Sequence, residues 1–117
     1  MPLDTNLKHL TTDKELKQLI ASNENVMVCC GRMGPMCIPV YGVMEELEKE
    51  GAYKHVEFRD MLFDSPESSY IRTLPECATF RGIPFTVYFK NGKVAKATSS
   101  IQSKPQVQAI LDSAFKK

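Results

Sequence analysis

The stretch Arg81-Gly82-Ile83-Pro84-Phe85-Thr86-Val87-Tyr88-Phe89-Lys90-Asn91-Gly92-Lys93-Val94 decides the fold. Phe85 to Phe89 is rich in aromatic and β-branched residues and reads as a strand. Asn91-Gly92 follows, a dipeptide that tolerates the positive backbone angles of a tight hairpin turn. A second strand then runs from Val94 to Ser99. An antiparallel hairpin is therefore expected late in the chain, and the elements before it determine which sheet it joins.

Working back from the hairpin, short apolar runs alternate with helical patterns. Leu7 to Leu10 is a short possible strand. Thr12-Asp13-Lys14-Glu15 has the spacing of a capping box, so a helix should start there, with Leu16, Leu19 and Ile20 on one face. Val26 to Cys30 reads as a buried strand. Pro39 to Glu50 reads as a helix, with Val40, Val43, Met44 and Leu47 at helical spacing, Pro39 in its first turn and Gly51 as its stop. Val56 to Phe63 is the next strand. A short helix is expected around Ser68 to Leu74, interrupted near Pro75. Ser103-Lys104-Pro105 opens a last helix with Val107, Ile110, Leu111 and Phe115 on its apolar face. The order β-α-β-α-β-α-β-β-α predicts an α/β fold, with parallel strands covered by helices on both faces and one antiparallel hairpin.

Length and charge narrow the function. A chain of 117 residues suits one domain with one core, spanning residues 1–117. A net charge of +1 without a basic cluster argues against nucleic acid or an anionic membrane as the partner. No stretch approaches the roughly 18 apolar residues of a spanning helix. Met1 to Asn6 lacks an export signal, so the expected location is cytoplasmic, where four cysteines are an unlikely disulfide framework. The run Glu45-Glu46-Leu47-Glu48-Lys49-Glu50 reads as a solvated helix face. Without a glycine-rich phosphate loop, no nucleotide cofactor is implied.

The chemistry concentrates in Val26-Met27-Val28-Cys29-Cys30-Gly31-Arg32-Met33-Gly34-Pro35-Met36-Cys37. Two cysteines end the strand, and a third stands where the next helix begins. A helix start offers unpaired N–H groups and the positive end of a dipole, which favour an anion such as a thiolate.

At this point the chain resembles the thioredoxin-like family. The match covers Arg81-Gly82-Ile83-Pro84, the strand after it, the Lys90-Asn91-Gly92 turn and the returning strand. Gly34-Pro35-Met36-Cys37 sits where that family carries Cys-Gly-Pro-Cys, and the element order agrees over almost the whole chain. The resemblance implies a central mixed sheet and a cis Pro84 facing the active cysteine. It leaves Ile83 to pair with a bound peptide backbone. It also implies thiol-disulfide oxidoreductase activity on a protein disulfide or thiol substrate, a recycling reductase as partner, a monomeric state and no cofactor. Met33, Gly34, Pro35, Met36, Ile83 and Pro84 are the expected substrate-binding residues, with Ile101 beside the groove.

The departures are specific. One alignment frame keeps Cys37 as the second cysteine and places Gly34 at the attacking position. A shift by one residue places Met33 and Met36 on the two cysteine positions. The chain has no tryptophan, and Val28 stands where the family keeps a buried acid. Ser100 lies near a loop glycine of the family, and the segment between Asp64 and Phe80 is a few residues longer than usual. Cys37 is therefore the expected catalytic residue, and Cys30 a possible partner across the Gly31–Met36 loop. Cys30 is expected to face the helix that follows, and Cys29 to turn into the core. Cys77 is expected to be a surface or half-buried thiol without a role. Asp60 and Asp64 are expected to be structural. Which cysteine attacks stays open.

Two alternatives remain. Met27, Cys29, Cys30, Met33, Met36 and Cys37 make a soft-sulfur excess of the kind Cu(I) favours, although methionines also fill cores and line adaptable surfaces. Zinc and iron–sulfur sites lack the usual spacing. The other alternative is a redox-inactive binding module on the same fold, since fold alone does not certify an enzyme.

Overall fold

The computed structural model describes residues 3–79 and 82–115. Phe80 and Arg81, which lead into the Gly82-Ile83-Pro84 motif, lie outside the described residues. Among the described residues, five strands and four helices follow in the order β1 (Lys8–Leu10), α1 (Asp13–Ser22), β2 (Asn25–Gly31), α2 (Ile38–Glu50), β3 (Glu57–Leu62), α3 (Ser69–Arg72), β4 (Phe85–Lys90), β5 (Lys93–Ser99) and α4 (Lys104–Ala114). Short 3-10 turns at Pro66–Ser68 and Pro75–Thr79 flank α3.

The strands form one sheet in the order β1-β3-β2-β4-β5. β1, β3 and β2 run parallel, while β4 and β5 are antiparallel to their neighbours. β2 is the central strand, and every one of its residues is buried. That is why it carries no polar alternation in the sequence: both of its faces are covered. The hairpin turns at Asn91 and Gly92, with φ of 53° and 80°, the left-handed geometry that this dipeptide suits.

The two faces hold different helices. α2 and α4 pack on one, where Met27, Cys29, Phe58 and Tyr88 meet Val40, Tyr41, Met44, Leu47, Val107, Leu111 and Phe115. α1 and α3 pack on the other, where Val26, Val28, Cys30, Phe85 and Val87 meet Leu16, Ile20 and Ile71. α1 begins with a reciprocal capping box between Thr12 and Glu15, and α4 with one between Ser103 and Gln106. Gly51 ends α2 at φ 79°. The acidic run on α2 is more than a solvated face: Glu46 accepts a 2.8 Å hydrogen bond from Lys104 Nζ, tying α2 to α4.

Register sets a polar row beneath α2. His9 on β1 pairs with Asp60 on β3, and Asp60 pairs with Cys29 on β2. Asp60 is fully buried. Its carboxyl makes a 2.6 Å hydrogen bond with His9 Nδ1 and accepts another from the Thr5 hydroxyl. Burial pushes the Asp60 carboxyl above its ordinary 3.8, against the opposing pull of those hydrogen bonds. Among the described residues, no helix is long and apolar enough to cross a membrane.

Two stability measurements test this account. Thr12→Ala removes the side-chain acceptor for Glu15 N–H and is expected to cost about 1 kcal/mol in urea unfolding. For Asp60, a raised folded-state pKa means that the folded chain binds more protons than the unfolded one, so its contribution to stability grows as pH falls. The stability of the parent relative to Asp60→Asn should therefore rise as pH falls through the raised Asp60 pKa. It should level off below the ordinary carboxyl range. A flat difference across that range would remove the buried-carboxyl account.

Candidate active site

The carboxyl end of β2, the start of α2 and the start of β4 converge on Gly31. A Cβ built on Gly31 would lie 2.7 Å from Cys37 Sγ, 2.9 Å from the Tyr41 hydroxyl and 3.2 Å from Pro84 Cβ. A side chain there would displace the buried Cys37 and Tyr41 side chains, so glycine is favoured by close approach rather than by an unusual φ. The Ile83–Pro84 peptide is cis. Pro84 is buried, and its carbonyl accepts a 3.0 Å hydrogen bond from Ser100 N–H. Ser100 itself has φ 69°, a left-handed backbone that is uncommon for a non-glycine residue.

Cys37 is the N-cap residue of α2. Its sulfur accepts the Arg32 N–H at 3.4 Å, and only 1% of the residue is exposed. One turn on, Tyr41 donates its hydroxyl to the Arg32 carbonyl at 3.1 Å, which fixes the loop from below. From outside, the Arg32 guanidinium makes two hydrogen bonds to Asp64, at 2.6 and 2.8 Å. Both partners of that pair are about half exposed (56% and 50%), so the pair holds the loop weakly. Asp64 thus belongs to the rim of the site.

The loop offers apolar surface rather than sulfur nucleophiles. Met33 and Met36 are exposed, as are Pro35 and, on α2, Ile38. Gly34 has open space above it. Ile83 is half-buried against the α2 face, and Ile101 stands exposed on the same rim as the Ser100 loop. The expected substrate-binding residues and Cys37 are therefore carried by the two segments that meet at Gly31.

Cys30 does not join them as expected. It points to the α1/α3 face, within the cluster of Val28, Ile71 and Phe85, while Cys29 points to the α2 face together with Cys37. The expected orientations of the two neighbours are reversed. The reason is the phase of β2: α2 packs over the face that carries Met27, Cys29 and Gly31, and alternation sends Cys30 the other way. All four cysteines are free. Burial pushes the Cys30 thiol up to about 12 and holds Cys29 well above its ordinary value. Cys77 is also corrected: it is buried in the cluster that contains Cys30 rather than lying at the surface.

Sequence reading missed Gly31, Tyr41 and Cys29 as members of the site. Two signals were available. Tyr41 follows Cys37 by four residues, so the two share a helix face. Gly31 closes a strand directly before the loop, a place where glycine often marks a close approach. Among the described residues, no group of three or more His, Cys, Asp or Glu side chains is placed to hold a metal ion.

No family model matches the chain, and no curated protein sequence does. Solved structures do. A thioredoxin of Malassezia sympodialis is 20% identical, with a TM-score of 0.74 over 97% of this chain and 94% of its own. A thioredoxin of Plasmodium falciparum is 22% identical, with a TM-score of 0.73 over 92% and 98%. Mitochondrial thioredoxin 3 of Saccharomyces cerevisiae is 24% identical, with a TM-score of 0.71 over 91% and 94%. A strand order of β1-β3-β2-β4-β5 with α2 and α4 on one face, matched to these structures over nearly their full length, makes this chain a protein of the thioredoxin fold.

Proposed function

We propose that the protein is a single-domain thiol-disulfide oxidoreductase that works through Cys37, with the surface around Gly34-Pro35 and Ile83-Pro84 as its docking site for an extended peptide. The observation that carries this reading is the lodging of Cys37 Sγ over Gly31, the same bare position that Pro84 approaches, at the N-cap of α2 and with the Arg32 backbone N–H aimed at the sulfur. In the exchange, the Cys37 thiolate attacks one sulfur of a substrate disulfide. A mixed disulfide forms at Cys37, and the other substrate sulfur leaves as a thiolate. A second thiol then releases the substrate. Cytoplasmic location, a monomeric state and recycling by a reductase belong to the same proposal.

Access to Cys37 runs through the loop 32–36. The loop is fastened outside by the exposed Arg32–Asp64 pair, and exposed methionines at 33 and 36 adapt to varied apolar partners. A second reading, a binding module without redox chemistry, is favoured by one observation: the thiol is 1% exposed and the residues exposed around it are methionines.

Dithiothreitol-driven reduction of insulin separates the two. The parent protein is expected to accelerate the reaction, Cys37→Ser to fall to the uncatalysed background, and Cys30→Ser and Cys77→Ser to keep most of the rate. A parent protein at background would sink the oxidoreductase reading and leave the binding module.

A further inference from the structure

We propose that Cys29 is the second catalytic thiol, which attacks the mixed disulfide at Cys37 from inside the protein and leaves a Cys29–Cys37 disulfide. This inference rests on the reading of Cys37 as the reactive thiol and supplies the step that reading leaves open. Three observations carry it. Cys29 and Gly31 are two residues apart on one face of β2, about 6.6 Å along a strand. Cys37 Sγ lies over Gly31, at 2.7 Å from the position its Cβ would take. Cys29 and Cys37 share the apolar cluster under α2, whereas Cys30 and Cys77 share the cluster on the opposite face.

Gly31 puts no side chain between the two sulfurs, and the disulfide requires Cys37 to move along the strand from over Gly31 toward Cys29. A disulfide needs Cα atoms within roughly 4.4–6.8 Å. The shift gives up the Arg32 N–H contact to Cys37 Sγ, and on the outside it is opposed by the half-exposed Arg32–Asp64 pair, a weak restraint. Burial closes Cys29 to outside thiols, while an internal attack needs no opening to solvent; it also keeps the thiol protonated, so the proton must leave as the sulfur attacks.

The chemistry balances. The mixed disulfide Cys37–S–S–R reacts with the Cys29 thiol; the Cys37–SR bond breaks, the Cys29–Cys37 bond forms, and the leaving thiolate takes up the Cys29 proton as R–SH. Over the whole cycle the two protein thiols are oxidised and the substrate disulfide is reduced to two thiols.

The test uses the full chain and glutathione disulfide as the probe, with acid quenching, alkylation and tryptic mapping. Cleavage after Lys17, Arg32 and Lys49 puts Cys29 and Cys37 on separate peptides, residues 18–32 and 33–49. The parent is expected to yield these two peptides joined, with fragment ions placing the bond at Cys29 rather than Cys30. Cys30→Ser should keep the link. Cys29→Ser and Cys29→Ala should lose it and retain a glutathione adduct at Cys37 that persists at least about tenfold longer, because an intramolecular attack has been removed. A link placed at Cys30, or an adduct at Cys37 of unchanged lifetime in folded Cys29 variants, overturns the role of Cys29 while leaving Cys37 reactive. Absence of both adduct and link in the parent overturns this role and the reading of Cys37 together. The fragment-ion assignment needs no substitution, so it decides even where a Cys29 variant does not fold.

Discussion

The bare α-carbon of Gly31 is the constraint on which the site depends. Three elements meet there: the end of the central strand, the start of α2 through Cys37 and Tyr41, and the start of β4 through Pro84. Adding one methyl group would press on a sulfur, a phenol oxygen and a proline ring at once. Packing at interior density has no slack for it, and overpacking of this kind costs about 1–3 kcal/mol. The amino end of α2 can therefore lie directly on the sheet. With it there, Tyr41 reaches the Arg32 carbonyl, the loop turns outward, and its methionines are delivered to the surface.

Much of this architecture was legible because its signals are local. The Thr12–Glu15 box, the proline in the first turn of α2, Gly51 and the Asn91-Gly92 turn each specify a backbone geometry within a few residues, and each stands where that geometry is needed. The phase of β2 was not legible. Every residue from Asn25 to Gly31 is buried, so the string Val-Met-Val-Cys-Cys carries no polar residue to say which face α2 covers. The error in orienting Cys29 and Cys30 follows directly, since a one-residue change of phase moves every side chain to the other face. Asp60 was similarly opaque. A carboxylate on a strand is ordinarily exposed, and only the pairing of β1 with β3 reveals that His9 and Thr5 satisfy it in the interior. Cys77 sits in a segment whose 3-10 turns give little periodicity to read.

Near Gly31 the chain separates apolar surface from thiol. Exposed apolar side chains are abundant: Met33, Met36, Ile38 and Ile101. Nucleophile is scarce, because the surrounding side chains are thioethers and the single thiol lies beneath them. A thioether has no acidic proton and forms no disulfide, so Met33 and Met36 can hold a partner but cannot exchange with it. Chemistry at this site must pass through Cys37 or not occur, and the loop 32–36 stands between that sulfur and any partner.

The sheet divides the thiols two and two. Cys29 and Cys37 lie under α2; Cys30 and Cys77 lie beneath α1 and α3. Adjacent positions in a strand are thus far apart in chemistry, since Cys29 and Cys30 share a peptide bond but face separate interiors. The surroundings differ as well. On the α1/α3 side, Arg72 is the strongest charged neighbour of Cys30 and the one opposing the effect of burial on Cys77, and its guanidinium is occupied by the Phe63 and Ser65 carbonyls. That side is a packed interior closed by the 3-10 segment. On the α2 side, Cys37 ends a loop held from below by Tyr41 and from outside by the Arg32–Asp64 pair, and its sulfur rests on the bare α-carbon of Gly31. Of the two faces, the α2 face is the one where a thiol stands at the end of a loop that turns outward to the surface.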